Sequence, residues 1–476
     1  MYSHFGLFIG GEWHRPATTI AVFDPATEAQ IGTIADADAD MVERAVDAAK
    51  SGFEIWRRQP AWERGRVLRL AADLIRQREA ESARMMTLES GKPLAESVGE
   101  LQAAADQFEW YSEEARRIYG QTIESRASDI RLSVRYEPVG IVAAFSAWNF
   151  PALLPARKLA CALAAGCSII IKPSEEVPGS CMALVQALHD AGVPPGTVNL
   201  VTGDARRIST QLTTHPAVRK ISFTGSVPIG KELLRLAADG VKKVSMELGG
   251  HAPVIIFEDA DPVAAAQSCA KAKFRNAGQV CISPSRFYVH ESIREPFTES
   301  FAASANRIRL GHGLDEGSEM GPLANKRGLT RAGQLVEDAI SRGAVVAAGG
   351  KRPAAFNQGY FFEPTVLANV PNEARIMIEE PFAPVAPISG FSKFDDVIAR
   401  ANALPFGLAA YLFSSSASTT IRAAEALEAG MVGINDLALA QAEIPFGGVK
   451  ESGTGREGGS LGIHDYLEPK YVRQKL

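Results

Sequence analysis

The sequence has no long apolar run, no tract of basic residues and few aromatic side chains, which make up 8% of the chain. The longest apolar stretch, at about 159–171, is interrupted by Gly166 and Ser168 and is too short to span a bilayer. Residues 1–11 lack the charged and then apolar pattern of a secretory signal. With a net charge of -5 and no basic tract, nucleic acid and acidic membrane surfaces are not expected partners.

Metal-binding and disulfide patterns are also missing. The cysteines number five, an odd count, and their spacing fits no disulfide or metal framework; they stand at positions 161, 167, 181, 269 and 281. The eight histidines show no paired ligand spacing, so we predict no protein-bound metal. These features are typical of a reducing compartment, and we expect a cytoplasmic location.

The chain is long enough, at 476 residues, for two or three domains of the α/β class. After short strands at 7–9 and 21–23, residues 38–118 have helical periodicity. Buried-strand patterns at 140–145, 168–171, 198–201 and 218–223 then alternate with helical ones, including 151–165 and 179–191. This alternation predicts a parallel sheet covered by helices, with a ligand at the loops that follow residues 145, 171, 201 and 223.

A second α/β pattern begins at residue 253, and two flanking segments stand apart from both sheets. Strands are predicted at 254–257, 286–290, 344–348, 365–370 and 409–413. Residues 130–136 alternate between apolar and polar side chains, which predicts a half-exposed strand, and we interpret it as an edge that pairs with another subunit. Residues 451–462 are glycine-rich and predict a loop, and 466–472 predict a closing strand.

Cys281 is the best nucleophile candidate. Asp261 and Pro262 are typical of a helix start, and Gly278 ends the helical pattern, so the thiol falls on a loop just past a helix. A thiol on such a loop is a better nucleophile than one inside a core, although an unreactive loop cysteine is the commoner case.

Four polar groups follow predicted strands at the ligand-binding edge. Gly225 and Ser226 open a helix that suits a phosphate, and Lys172 with Glu175 can bind a ribose diol. The amide of Asn149 can stabilise an oxyanion. Glu247 stands between apolar neighbours, where burial would raise its pKa and make it a usable base. Each group taken alone also fits an ordinary turn or a solvent-facing side chain.

Taken together, these motifs resemble the aldehyde dehydrogenase superfamily, and the resemblance covers nearly the whole chain. The motifs occur in the order that the family shows, at residues 148–151, 172–175, 223–226, 246–250, 276–281, 380–382 and 445–448. The resemblance implies a Rossmann-type NAD-binding domain, an α/β catalytic domain and a small β oligomerisation element. We place these at 1–118 with 139–249, at 250–448, and at 119–138 with 455–476 respectively, and we expect a homodimer or homotetramer.

The family resemblance implies oxidation of an aldehyde to an acid with NAD(P). Cys281 would attack the carbonyl, Asn149 would stabilise the oxyanion, and Glu247 would activate water to hydrolyse the thioester. Family members that pass the acyl group to coenzyme A generally lack the equivalent of Glu247, so hydrolysis is expected. The implied cofactor contacts are Trp148, Lys172, Glu175, Gly225, Ser226, Leu248, Glu380 and Phe382. Because Glu175 would repel a 2′-phosphate, we predict NAD in preference to NADP.

Two arginines suggest the substrate. Arg157 and Arg275 match arginine positions of succinate semialdehyde dehydrogenases, and two cations near the nucleophile would bind a remote carboxylate. Succinate semialdehyde is therefore the first expectation, with glutarate semialdehyde or a neutral aliphatic aldehyde as the alternative. Ser283 stands where many of these relatives carry a second cysteine, and Ala440 and Gln441 replace their substrate-contacting serines.

A cofactor-free thiol hydrolase and an inactive binding protein are the rival classes. The lack of a nearby histidine disfavours the first, and the intact reacting residues disfavour the second.

Overall fold

The computed structural model describes residue 2 and residues 5–476, so residues 1, 3 and 4 of the predicted N-terminal segment lie outside it. The chain begins with four short strands, followed by four helices in the predicted helical block. Their bounds are β1 Leu7–Ile9, β2 Glu12–His14, β3 Thr19–Phe23, β4 Gln30–Ala35, α1 Ala39–Trp56, α2 Ala61–Gln77, α3 Glu79–Ser90 and α4 Leu94–Glu114. Asp38 begins α1 by accepting a hydrogen bond from the Met41 N–H, and Gly91, with φ of 77°, ends α3.

Strands and helices then alternate, as the sequence pattern predicts. The elements are β5 Gln121–Ile123, β6 Ile130–Pro138, β7 Ile141–Phe145, α5 Leu153–Ala165, β8 Ser168–Lys172, α6 Gly179–Asp190, β9 Val198–Leu200, α7 Ala205–Thr214, β10 Val218–Gly225, α8 Val227–Asp239 and β11 Lys243–Leu248. Successive residues of β7 pack into different apolar clusters: Val142 and Ala144 into one, and Ile141 and Phe145 into another. The strand is thus covered on both faces, which explains its unbroken apolar sequence.

The second α/β region runs from β12 to β19. Its elements are β12 Ala252–Ile256, α9 Pro262–Phe274, β13 Pro284–His290, α10 Arg294–Arg307, α11 Lys326–Ser341, β14 Val345–Ala348, β15 Thr365–Ala368, α12 Arg375–Ile378, β16 Val385–Phe391, α13 Phe394–Asn402, β17 Phe406–Gly407, β18 Ala409–Phe413, α14 Ala417–Ala426 and β19 Met431–Ile434. The sequence patterns did not indicate β16, because Pro387 and Gly390 are uncommon inside a central strand.

The chain ends with β20 Val449–Lys450, β21 Gly453–Thr454, α15 Gly459–Gly462 and β22 Leu467–Lys475. The prediction of a plain loop over 451–462 is therefore wrong in part. Two residues of this stretch form β21, which pairs antiparallel with β11 through Met246–Thr454 and Glu247–Gly453. A two-residue strand carries too little alternation to be seen in sequence.

Two large sheets organise the molecule. The first has eight strands in the order β2-β1-β9-β8-β7-β10-β11-β21, and the second has seven in the order β14-β15-β16-β13-β12-β18-β19. In the first, β9, β8, β7, β10 and β11 are parallel. The chain goes from β7 towards β8 on one side and returns through β10 to β11 on the other, so the order reverses between β7 and β10. Open α/β sheets bind ligands at such a reversal.

A third sheet corrects one prediction. Its order is β22-β6-β5, so β6 is the central strand and not an edge. The alternating pattern of 130–136 reflects a strand with one face exposed, and such a pattern does not distinguish an edge from a centre. The two edges are β5 and β22, where Ile123 and Tyr471 are exposed. No helix within residue 2 and residues 5–476 is both long and apolar enough to cross a membrane.

Candidate active site

Two cavities meet at the carboxyl end of β10. The first, of about 190 Å³, lies between the two large sheets, and the second, a cleft of about 560 Å³, opens along the loops after β7, β8 and β10. Both are lined by Trp148, Thr224, Gly225 and Ser226. The cleft lies where the strand order of the first sheet reverses, and it is lined by loops that follow residues 145, 171 and 223, where the sequence pattern predicts a ligand.

Cys281 lines the first cavity and is half-buried. The chain leaves α9 through a short 3₁₀ turn, Arg275–Gly278, in which Asn276 and Ala277 both have positive φ angles, of 48° and 52°. The Tyr411 hydroxyl donates to the Ile282 carbonyl at 2.7 Å and so fixes the loop just after the thiol. Burial raises the pKa of the Cys281 thiol to about 12, and the Arg157 charge opposes that shift.

Asn149 follows β7 and faces the same cavity. Its Nδ2 donates to the Gln279 carbonyl at 3.1 Å, which ties it directly to the loop that carries Cys281. Its own carbonyl accepts from Lys92 Nζ at 2.8 Å and from Asn276 Nδ2 at 3.0 Å. The position of Asn149 is therefore set from three sides.

Glu247 is a buried carboxylate that lies on β11, and only 3% of its surface is exposed. Neither of its carboxylate oxygens has a hydrogen-bond partner among residue 2 and residues 5–476. Gly447 leaves room for it, since a Cβ there would lie 2.8 Å from Glu247 Oε1. Burial raises the pKa of Glu247 well above its ordinary value, the Glu457 charge adds to the shift, and Lys158 and Arg157 oppose it. The sequence predicted this shift from the apolar neighbours.

The same cavity is also lined by Glu380 and two aromatic rings. Glu380 Oε1 accepts from the Gly250 N–H at 3.2 Å, and Gly249 leaves room for the carboxylate, since a Cβ there would lie 2.5 Å from Glu380 Oε2. Burial raises the pKa of Glu380 to about 7. Trp148 and Phe382 meet edge to face with ring centroids 5.5 Å apart, and Leu248 also lines this cavity.

The predicted ribose- and phosphate-binding residues line the cleft. Lys172 Nζ bonds to Glu175 Oε1 at 2.9 Å, so these two side chains form an ion pair within the cleft. Ser226 precedes the first turn of α8, and its hydroxyl makes no capping bond. A Cβ at Gly225 would lie 2.4 Å from the Phe223 ring, so packing also requires glycine at this turn.

The two predicted substrate arginines occupy different environments. Arg157, on α5, is 2% exposed, and its guanidinium carbon lies 4.0 Å from the centroid of the Phe446 ring, which lines the cavity. Its Nε is buried without a hydrogen-bond partner within the described residues. Arg275 is exposed and lies over the Phe150 ring at 5.2 Å. The structure thus places Arg157 behind the cavity wall and Arg275 at the surface, beside the residue that follows Asn149.

One protein-family model matches nearly the whole chain. Residues 13–472 match the model described as the aldehyde dehydrogenase family. The chain belongs to the aldehyde dehydrogenase family. This membership confirms the resemblance seen in the motifs and the assignment as a dehydrogenase, and NAD(P) is the cofactor class of the family.

Curated relatives in this aldehyde dehydrogenase family carry several substrate names. The chain is 46% identical to 3-sulfolactaldehyde dehydrogenase of Pseudomonas putida and 44% identical to glutarate-semialdehyde dehydrogenase of the same species. It is also 44% identical to a succinate-semialdehyde dehydrogenase of Escherichia coli whose name specifies NADP(+). Each match covers 98% of this chain and 96% of the relative.

Solved structures confirm the aldehyde dehydrogenase fold. The crystal structure of succinate-semialdehyde dehydrogenase from Burkholderia pseudomallei superposes with a TM-score of 0.97 at 42% identity. The superposition covers 99% of this chain and 98% of that one. The predicted α/β architecture, with its Rossmann-type and catalytic sheets, is thus correct.

Sequence reasoning missed a buried ion pair at the site. Lys158 Nζ, on α5, bonds to Glu457, which lines the cavity near Glu247, and Lys158 also contacts Ser222 Oγ at 3.2 Å. Glu457 stands in a glycine-rich stretch 299 positions away, where a lone glutamate gives no signal of its own. The pairing of β21 with β11 brings the C-terminal tail back to this site and so places Glu457 beside Lys158.

Replacing Glu247 by glutamine should stabilise the protein at high pH. The pKa of Glu247 in the folded state lies above its ordinary value of 4.5. Glu247 therefore contributes most to folding stability below pH 4.5, and that contribution is lost as the pH rises through the folded-state pKa. We expect Glu247→Gln to unfold at a higher temperature than wild type at pH 8, corresponding to about 1 kcal/mol, with a smaller difference at pH 5. Thermal melts at both pH values test this.

The comparison variant for that experiment is Glu457→Gln, which leaves Lys158 buried without its charged partner and should lower the melting temperature. Identical melting of wild type and Glu247→Gln at pH 8 would contradict the inferred pKa shift.

Proposed function

We propose that the protein oxidises an aldehyde that carries a remote acid group to the corresponding carboxylic acid, with NAD as the preferred acceptor. Succinate semialdehyde is the first candidate, and glutarate semialdehyde or a neutral aliphatic aldehyde is the alternative. The observation that carries the proposal is the convergence of Cys281, Asn149 and the unpartnered Glu247 on one cavity, with the buried Arg157 behind its wall.

The cleft fits a dinucleotide. Its carboxyl-edge position, the free N–H groups at the start of α8 beside Ser226, and the Lys172–Glu175 pair supply contacts for phosphates and a ribose diol. Glu380 in the first cavity would hold the ribose of the nicotinamide half of the cofactor, and the nicotinamide ring would lie among Trp148, Leu248 and Phe382. Bound NAD(P)+ would accept hydride from the substrate carbon.

Cys281 forms the covalent bond in this proposal. The thiol must lose its proton before it adds to the aldehyde carbon, because the thiolate is the nucleophile. Glu247 faces the same cavity, its oxygens have no partner, and its raised pKa makes it a stronger base than an exposed carboxylate. The Arg157 charge favours the thiolate and so offsets part of the cost of burial.

Asn149 stabilises the alkoxide that forms when sulfur adds to the carbonyl. An amide has two N–H groups, and one of them is used by the Gln279 carbonyl. The other can donate to the oxyanion, together with the backbone N–H of Cys281. When hydride leaves the carbon, the carbonyl re-forms and a thioester to Cys281 results.

Hydrolysis completes the cycle. Once Glu247 has released the thiol proton to solvent, it takes a proton from water, the resulting hydroxide adds to the thioester, and the sulfur leaves as a thiolate. A carboxylate without a hydrogen-bond partner is suited to orient a water in this way, whereas transfer to coenzyme A would need no such base. Aldehyde, water and NAD+ thus give acid, NADH and protons.

The environment of Arg157 supports an anionic substrate. A guanidinium that is 2% exposed, with an unpartnered Nε, is costly unless an anion compensates it for part of the cycle. The three relatives' names all denote aldehydes that carry a carboxylate or a sulfonate. Arg275, exposed beside Phe150, is suited to attract such an anion from solution.

Removal of either arginine should discriminate between substrates. We expect Arg157→Met and Arg275→Ala each to lower kcat/KM for succinate semialdehyde by about 2 kcal/mol or more, roughly 30-fold, relative to kcat/KM for butyraldehyde. Arg157→Met should also slow butyraldehyde to a smaller extent, because it removes the charge that favours the Cys281 thiolate. A panel of succinate semialdehyde, glutarate semialdehyde and butyraldehyde at saturating NAD measures this.

Arg157→Lys is the matched variant, since it keeps the charge but loses the planar fork, and it should fall between wild type and Arg157→Met. Equal losses on the charged and neutral aldehydes would remove the proposal of an acid-binding site while leaving the dehydrogenase chemistry in place.

Cofactor preference should depend on Glu175. The carboxylate can accept from both ribose hydroxyls but repels a 2′-phosphate, and its loss frees the Lys172 ammonium to bind one. We expect wild type to prefer NAD and Glu175→Gln to shift the ratio of kcat/KM values towards NADP by about tenfold or more. Steady-state kinetics with both cofactors measure this, and a clear NADP preference of wild type would contradict it.

We also propose the three-part domain division, with residues 119–138 and 455–476 as an oligomerisation element. The β22-β6-β5 sheet within these segments has two edges that pair with no other strand of the described residues, and the Ile123 and Tyr471 side chains are exposed there. Light scattering should give two or four times the chain mass of 50.9 kDa. A monomer at micromolar concentration would exclude this role.

A further inference from the structure

Lys92 is a buried cation that holds the Asn149 loop. It lies between α3 and α4 with its side chain 1% exposed, and its Nζ donates to Glu100 Oε2 at 2.6 Å. The same nitrogen donates to the Asn149 carbonyl at 2.8 Å and lies 4.6 Å from the centroid of the Phe150 ring. One ammonium therefore grips two consecutive residues of the loop after β7.

Glu100 links this cation to the helix that follows the loop. Its second oxygen, Oε1, accepts from the N–H groups of Ala152 and Leu153 at 2.8 and 3.2 Å, which are unpaired donors at the start of α5. A carboxylate at a helix N-terminus is favoured by the helix dipole as well as by these bonds. Lys92 and Glu100 thus fix both ends of the segment from Asn149 to Leu153.

The same helix, α4, also holds the nucleophile loop. Glu96, one turn before Glu100, accepts from the Asn276 N–H with both carboxylate oxygens, at 3.2 and 2.9 Å. Asn276 in turn donates to the Asn149 carbonyl at 3.0 Å. A helix from the predicted N-terminal helical block therefore supports the two loops that come from different sheets.

We propose that Lys92, held by Glu100, is a positioning residue that sets the Asn149 amide for oxyanion stabilisation. This inference rests on the proposed role of Asn149. Lys92 bonds to the Asn149 main chain and does not line the cavity, so it acts through Asn149. An oxyanion donor is effective only when it is fixed where charge develops, and a misplacement of about 1 Å can cost on the order of 100-fold in rate.

The test uses a pair of substitutions that together leave the net charge unchanged. Lys92→Met alone would leave the Glu100 carboxylate buried without its cationic partner. In the Lys92→Met/Glu100→Gln double variant, glutamine keeps an acceptor for the Ala152 and Leu153 N–H groups. The measured quantity is the rate of the first turnover of NADH formation in stopped flow, with KM for NAD and the melting temperature recorded alongside.

We expect this double variant to form NADH in the first turnover at least about tenfold more slowly than wild type, with KM for NAD changed by less than about twofold. In an Asn149→Ala background the same two substitutions should slow the reaction by less than about twofold further, since the group that they position is gone. General damage to the fold would instead add to the Asn149→Ala effect.

Lys242→Met is the matched control. Lys242 is likewise buried and donates to two backbone carbonyls, those of His215 and Val218, but it lies at the amino end of β10, away from the cavity. The Lys242→Met substitution should lower the melting temperature and leave the first-turnover rate of NADH formation unchanged.

The outcomes separate the two ideas. If Asn149→Ala alone leaves the first-turnover rate unchanged, the proposed oxyanion role fails. If Asn149→Ala is slow but the Lys92→Met/Glu100→Gln effect is absent, or is equally large in both backgrounds, the positioning role of Lys92 is overturned and the proposed function stands.

Discussion

The proposed site depends on holding three candidate reacting side chains, from three separate parts of the chain, at one buried junction. Asn149 follows β7 of the first sheet, Glu247 lies on β11 of the same sheet, and Cys281 follows the helix between two strands of the second. Direct polar contacts close the junction: the Asn149 amide reaches the Gln279 carbonyl, and β21 pairs beside Glu247. Because these groups come from elements of two different sheets, small relative movements of the two sheets would separate them. Buried hydrogen bonds across the junction restrict that movement, since breaking one leaves an unsatisfied polar group.

The sequence predicted much of this arrangement because the relevant signals are local. A buried strand that runs into a polar turn is visible in a few residues, so Asn149, Lys172 and Ser226 could be placed on one edge of a sheet. The raised pKa of Glu247 was also expected from its immediate neighbours, and the burial of Glu247 in the structure acts in that direction.

Features that depend on long-range pairing could not be predicted in the same way. The Lys158–Glu457 pair joins residues 299 positions apart, and the Lys92–Asn149 bond joins 57. The central position of β6 depends on where β22 and β5 pair with it, and its own alternation is the same at an edge. Family resemblance supplied the candidate catalytic residues but gave no reason to examine Lys92 or Lys158, since a lysine in isolation indicates a solvated surface.

The buried carboxylates around the cavity differ in how they are compensated, and this difference separates their roles. Glu457 pairs with Lys158 through one of its oxygens, and Glu100 pairs with Lys92, so each carboxylate has a fixed cationic partner. Glu380 has one backbone N–H, and Glu247 has no partner among the described residues. A carboxylate with a full set of partners is a poor base, because its partners favour the charged form and must be released before it takes a proton. Because Glu247 has no partner, its burial lowers the stability of the fold when it is charged. The neighbouring Glu457, which is fixed by Lys158, adds a negative charge that raises the pKa of Glu247 further. The two carboxylates in this cavity thus differ in their partners, because Glu457 has a fixed cation and Glu247 has none, and this difference supports the proposed role of Glu247 as the base.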